Sequence, residues 1–76
     1  MGVEPFHPFE GLVKNVGLIK NIVEVDIAGH THKIQIPEKF ADIIRQTLKE
    51  KGSAWVQVKA KYDYRGFVRS YTLMIR

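Results

Sequence analysis

One stretch with helical periodicity, flanked on both sides by segments of alternating apolar residues, limits the folds open to this 76-residue chain. Within residues 37–52, Phe40, Ile43, Ile44, Thr47 and Leu48 recur at intervals of three and four, the repeat of an amphipathic helix. Pro37 suits the first turn of a helix and Gly52 suits its end. Elsewhere the pattern has the period of two that is typical of strands. The sequence predicts a mainly β protein with one helix.

Before the helix, the pattern predicts three strands. Residues 1–8 contain two prolines and are predicted to be an extended lead-in that Phe6 anchors by packing. The first strand starts at Phe9. Because Leu12 falls on the opposite parity from Phe9 and Val13, we expect a bulge or a long bent strand, with Gly11 suited to the bend.

The second and third strands form the clearest early hairpin, with a two-residue turn at Ala28-Gly29. The expected pairs on the core side are Ile27 with His30, Val25 with His32 and Val23 with Ile34, and those on the other side are Asp26 with Thr31 and Glu24 with Lys33.

After the helix, a second hairpin is predicted around a turn at Arg65-Gly66, although a four-residue loop would preserve the same faces. The expected pairs are Tyr64 with Phe67, Tyr62 with Arg69, Ala60 with Tyr71, Val58 with Leu73 and Val56 with Ile75. Trp55 falls on the outer parity. We expect it to pack under the helix, and the alternative is an exposed interaction surface.

The element order is β-β-β-α-β-β, and a five-stranded sheet of this size removes its edges best by curling into a small barrel. We therefore expect a single OB-like β-barrel over residues 9–76. An SH3-like barrel is the main alternative, but it seldom places such a helix between its third and fourth strands. With no cysteine in the chain, apolar packing alone must form the core.

The basic charge of the chain is confined to its last third. Residues 1–52 contain equal numbers of basic and acidic side chains, whereas residues 53–76 contain five basic residues against Asp63 alone, which accounts for the whole net charge of +4. Five of the eight aromatic residues lie in the same segment. The last hairpin therefore interleaves cations with rings.

Several short segments resemble the S1-type OB-fold domains, and bacterial translation initiation factor one is the nearest small relative in size and spacing. These segments are Glu10-Gly11-Leu12-Val13, Ile22 to Ile27 followed by Gly29-His30, Gly52 before Val56-Gln57-Val58, Tyr62-Asp63, and Arg65 to Arg69. The resemblance implies binding of RNA through the barrel face and two loops, residues 15–20 and 62–69. One departure is that the outward face of the second and third strands carries Glu24 and Asp26, which would repel phosphate.

The last hairpin is the predicted binding site for RNA or another single-stranded nucleic acid. Cations there can contact phosphates, and rings there can stack on bases. The predicted nucleic-acid-binding residues are Lys59, Lys61, Tyr62, Tyr64, Arg65, Phe67 and Arg69, together with Lys14, Lys20 and Lys33. One alternative is that the rings only close the barrel end. The other is a protein-interaction or assembly module, including a homodimer, that uses a strand edge or the face of Trp55 and Met74.

Catalysis and metal binding are not expected. The chain has no cysteine, few Ser or Thr and no glycine-rich phosphate loop, so we predict no enzyme activity, no catalytic residue and no cofactor. His30 and His32 would supply two metal ligands, and a third would have to come from His7 or a distant carboxylate, so partly buried histidines are the favoured interpretation. No apolar run approaches the roughly 20 residues of a membrane span, and we expect no membrane partner and a cytoplasmic location.

Overall fold

The computed structural model describes residues 2–17 and 21–76, in which five strands and one helix follow the predicted order. The elements are β1 (Phe9–Val16), β2 (Ile22–Ile27), β3 (His30–Gln35), α1 (Glu38–Lys51), β4 (Ala54–Tyr62) and β5 (Val68–Ile75). All paired strands are antiparallel and form one sheet in the order β3-β2-β1-β4-β5. The prediction of a mainly β protein with one helix is confirmed.

The sheet is open, so the closed barrel predicted from the sequence is not found among the described residues. β3 and β5 form its two edges. The backbone of Glu4 lies beside β3 in a parallel bridge: its N–H donates to the Lys33 carbonyl (2.8 Å), and the Gln35 N–H donates to the Glu4 carbonyl (3.0 Å). The lead-in thus takes hydrogen-bonding groups of β3 that a closing strand would need.

Phe6 anchors the lead-in by packing, as predicted. Its ring lies 6.0 Å from the ring of Phe40 on α1 and 4.4 Å from the ring of Tyr71 on β5, measured between centroids. Edge-on and tilted arrangements at these distances are favourable for aromatic pairs. One residue of the lead-in therefore contacts the helix and the far edge strand together.

The core lies between the inner face of the sheet and α1, which packs on β1 and β4. Its buried members are Phe9, Val13, Val16, Val23, Val25, Ile34, Ile36, Phe40, Ala41, Ile44, Ala54, Val56 and Val58. The face of the sheet away from this core is called the outer face below. The pairing of β2 with β3 matches the predicted hairpin at every position.

A bulge interrupts β1, where an irregularity was expected. Val13 pairs with Val25 but Asn15 pairs with Glu24, which leaves Lys14 as the extra residue. Gly11 lies two residues before Val13. A Cβ atom on Gly11 would overlap the Asp26 carbonyl oxygen and lie 2.7 Å from Val25 Cγ2. Glycine is therefore required there by the close approach of β2.

The helix begins after Pro37 and ends at Gly52, whose N–H donates to the Leu48 carbonyl (2.8 Å). Glu38 lies in its first turn, and its last turn is basic, as the helix dipole favours. The buried face differs slightly from the predicted stripe, because Ala41 is buried whereas Ile43 is 49% exposed. No helix among the described residues is long and apolar enough to cross a membrane.

Candidate nucleic-acid interface

The hairpin of β4 and β5 has the predicted register along most of its length but not at its tip. Pairing runs from Val56 opposite Ile75 to Lys61 opposite Ser70, and a register shift then places Tyr62 opposite Val68. Arg69 is the extra residue of this bulge. The predicted pairs of Tyr62 with Arg69 and of Tyr64 with Phe67 are therefore wrong.

The loop is five residues long, 63–67, because Asp63 organises it. Its Oδ1 accepts hydrogen bonds from the backbone N–H of Arg65 (2.8 Å) and of Phe67 (3.1 Å), while its own N–H donates to the Phe67 carbonyl (2.9 Å). Aspartate side chains commonly stabilise turns in this way. Gly66 has φ +86°, a left-handed conformation that favours glycine. These hydrogen bonds favour the five-residue loop over the predicted two-residue turn.

The loop and the end of β4 expose three aromatic residues, two of which lie beside one guanidinium group, and we call Tyr62, Tyr64, Arg65 and Phe67 the aromatic tip. Tyr62, Tyr64 and Phe67 are 60%, 96% and 65% exposed. The Arg65 guanidinium carbon lies 5.7 Å from the Tyr64 ring centroid and 5.5 Å from that of Phe67, within the range of cation–π attraction. The aromatic tip thus presents π-faces to solvent beside a positive charge.

Further cations flank the aromatic tip on both strands. Lys59 and Lys61 are exposed on β4, and Arg69 is exposed at the bulge of β5. Neither strand contains an Asp or Glu. The nearest carboxylate in the chain, that of Asp63, is already engaged by backbone donors and lies 3.6 Å from Arg65 Nη2. The flanks of the hairpin are accordingly positive.

The other predicted lysines are not brought to this site. Lys33 lies on β3, and the two intervening strands separate it from β4 by about 14 Å at ordinary strand spacing. Lys14 lies at the opposite end of the sheet from the aromatic tip, where it lines a shallow groove with Arg45 and Lys49. Lys20 and part of the predicted 15–20 loop lie outside the described residues.

Trp55 lies on the outer face and is 40% exposed, so the expectation that it packs under the helix is wrong. Its Nε1 donates to Glu10 Oε2 (2.9 Å), and Gln57 Nε2 donates to Glu10 Oε1 (3.1 Å). Strand alternation alone predicts that Trp55 lies on the outer face. Burial under the helix was expected only because a closed barrel turns both faces of its strands inwards in places, and the observed sheet is open.

A second polar cluster joins the lead-in to β3. Glu4 Oε1 accepts from His7 Nε2 (3.0 Å) and Glu4 Oε2 accepts from His32 Nδ1 (2.8 Å). These hydrogen bonds, that of His32 first, hold the pKa of the Glu4 carboxyl below its ordinary value of 4.5. His32 is half-buried while His30 is exposed. We call Glu4, His7 and His32 the N-terminal clasp.

Within residues 2–17 and 21–76, no group of three or more His, Cys, Asp or Glu side chains is placed to hold a metal ion. Sequence reasoning missed the N-terminal clasp, because Glu4 and His32 are distant in the chain and the two prolines indicated an irregular segment.

The chain matches no protein-family model, and comparisons with curated proteins and with solved structures give no match.

Proposed function

We propose that this protein binds RNA or another single-stranded nucleic acid through the aromatic tip and its flanking cations, without altering it chemically. The observation that carries the proposal is the exposure of three aromatic residues, two of them beside Arg65, at the tip of a hairpin whose strands contain no carboxylate. Exposed rings accept unpaired bases by stacking, and cations neutralise phosphates. Duplexes, whose bases are already stacked, would not use these rings.

The interaction combines two separable contributions. Stacking of one base on one ring contributes about 1–3 kcal/mol by truncation, and each phosphate contact steepens the salt dependence of binding. An element order with the helix between the third and fourth strands also supports a relationship to the OB-fold domains. In the proposed relationship, this chain keeps the OB-fold order of elements, and its lead-in pairs with the edge of β3 where a closing strand would otherwise pair.

The test is a fluorescence anisotropy titration of a labelled oligouridylate at low and rising salt. We expect Tyr64→Ala to weaken binding by about 1–3 kcal/mol, because the exposed ring loses its base. Lys61→Glu should weaken binding and lower the slope of log K against log salt by about 0.7 or more. Lys33→Glu carries the same charge reversal on β3 and is the matched control, with a much smaller effect.

Absence of binding at low salt would refute the proposal. Equal losses for Lys33→Glu and Lys61→Glu would show that only the overall charge matters and that the aromatic tip is not the site.

An assembly role is the second candidate, because the edge of β5 is unpaired among the described residues and Val68 and Met74 are exposed there. Analytical ultracentrifugation separates the two functions. A dimer that forms with rising concentration and is lost in Met74→Lys would favour assembly, whereas a concentration-independent monomer would exclude a homodimer.

A further inference from the structure

We propose that Trp55 is a second stacking platform, and that a single strand bound at the aromatic tip continues along the outer face of β4 and β5 to reach it. This inference rests on the proposed function, since it extends the same ligand to a separate site. The inference goes beyond the proposed function because it adds a surface at the other end of the hairpin.

The spacing suits a short oligonucleotide. Trp55 and Lys61 lie on the same face of β4 near its two ends, about 20 Å apart at the usual rise per strand residue. A stacked strand advances about 3.4 Å per nucleotide, so this distance corresponds to about six nucleotides, and to fewer when the strand is extended. A single ligand of modest length can therefore contact both ends.

The surface between the two ends suits a phosphate backbone. On the outer face, Lys59 lies opposite Thr72 and Lys61 lies opposite Ser70, so that cations on β4 face hydroxyl groups on β5. Both kinds of group bind phosphate oxygens. At the far end, the Arg76 N–H donates to the Trp55 carbonyl (2.9 Å), which places another basic residue opposite Trp55.

The indole is held in place before any ligand binds. Glu10 accepts from Trp55 Nε1 with one carboxylate oxygen and from Gln57 Nε2 with the other. A ring fixed in this way loses little freedom when a base stacks on it, which favours binding. The negative charge of Glu10 opposes an approaching phosphate.

The outer face on the other side of β1 is unsuitable for the same ligand. Glu24 and Asp26 project there from β2, and Thr31 Oγ1 donates to Asp26 Oδ1 (2.9 Å) on β3. A polyanion that leaves the aromatic tip would be repelled on that side and attracted along β4 and β5. Charge therefore selects one direction along the sheet.

The experiment uses Trp55 as its own reporter, because the chain contains one tryptophan. Oligouridylates of about three and about ten nucleotides are titrated into the protein, with binding followed by anisotropy of a labelled oligomer and by tryptophan emission. We expect both oligomers to bind and only the longer one to quench Trp55. Trp55→Ala should weaken the longer oligomer at least about fivefold and leave the shorter one unchanged.

One further variant controls for unrelated effects. Ile43→Ala removes an exposed apolar side chain on α1 and should change neither affinity. Binding of the longer oligomer without a change in tryptophan emission would overturn this inference and leave the proposed function intact. Absence of binding by either oligomer would overturn both.

Discussion

Gly11 shows how one residue allows two neighbouring strands to approach closely. At this position of β1 the backbone of β2 comes so close that a methyl group would overlap the Asp26 carbonyl oxygen and press on Val25 Cγ2. Val25 is fully buried, so it cannot move aside without disturbing the core. A substitution at Gly11 is therefore expected to change the stability of the fold and not the aromatic tip.

Gly11→Ala is therefore expected to destabilise the fold by about 1–3 kcal/mol, the usual cost of inserting a methyl group into a packed interior. Urea denaturation followed by circular dichroism measures the change. Gly2→Ala is the control, because a Cβ atom there meets no neighbour within 4 Å. A Gly11→Ala variant as stable as the unsubstituted protein would show that β2 is not held against β1 as described.

At the scale of elements, the two hairpins differ in how far sequence determines them. The register of β2 with β3 was predictable because a two-residue turn at Ala28-Gly29 fixes every later pair. The inner part of the last hairpin was equally predictable from its alternation. Its tip was not, because side-chain bonds from Asp63 determine the loop length, and alternation contains no information about them.

Two substitutions of Asp63 distinguish the effect of its hydrogen bonds on the loop from the effect of its negative charge. Asp63→Ala removes the acceptor for the Arg65 and Phe67 amides, so both amides should exchange with solvent faster in hydrogen-exchange NMR. Asp63→Asn retains an oxygen acceptor and should keep most of the protection while removing a negative charge. We expect the Asn variant to bind oligouridylate at least as tightly as the unsubstituted protein, and the Ala variant to bind more weakly. Unchanged exchange in Asp63→Ala would contradict the role given to this side chain.

At the scale of the whole molecule, the lead-in links elements that the sheet leaves apart. Its backbone pairs with β3, Phe6 contacts Tyr71 on β5, and the N-terminal clasp adds side-chain bonds. Alternation and helix periodicity identify elements but not such distant contacts, so the sequence predicted packing by Phe6 without its partners. Local patterns also do not show whether the two edge strands of a sheet pair with each other. The prediction that Trp55 packs under the helix was wrong because it assumed such pairing.

The N-terminal clasp should make stability depend on pH in one direction. Because the pKa of Glu4 is lowered in the folded state, its carboxylate stabilises the fold above pH 4.5, its ordinary pKa, and this contribution is lost as the pH falls through the lowered value. Glu4→Gln should accordingly lower Tm near neutral pH and have little effect in stronger acid. A Tm difference that stays constant from neutral pH to about pH 3 would contradict the clasp.

The contact of Phe6 with Tyr71 also has a consequence for the order of folding. Chain segments far apart in sequence meet late, because closing a long loop costs entropy before any contact compensates for it. The ribosome makes Phe6 before Tyr71, so the ring stays without one of its two aromatic neighbours until β5 has emerged. The lead-in, although synthesised before the strands, is then among the last segments to reach its native position.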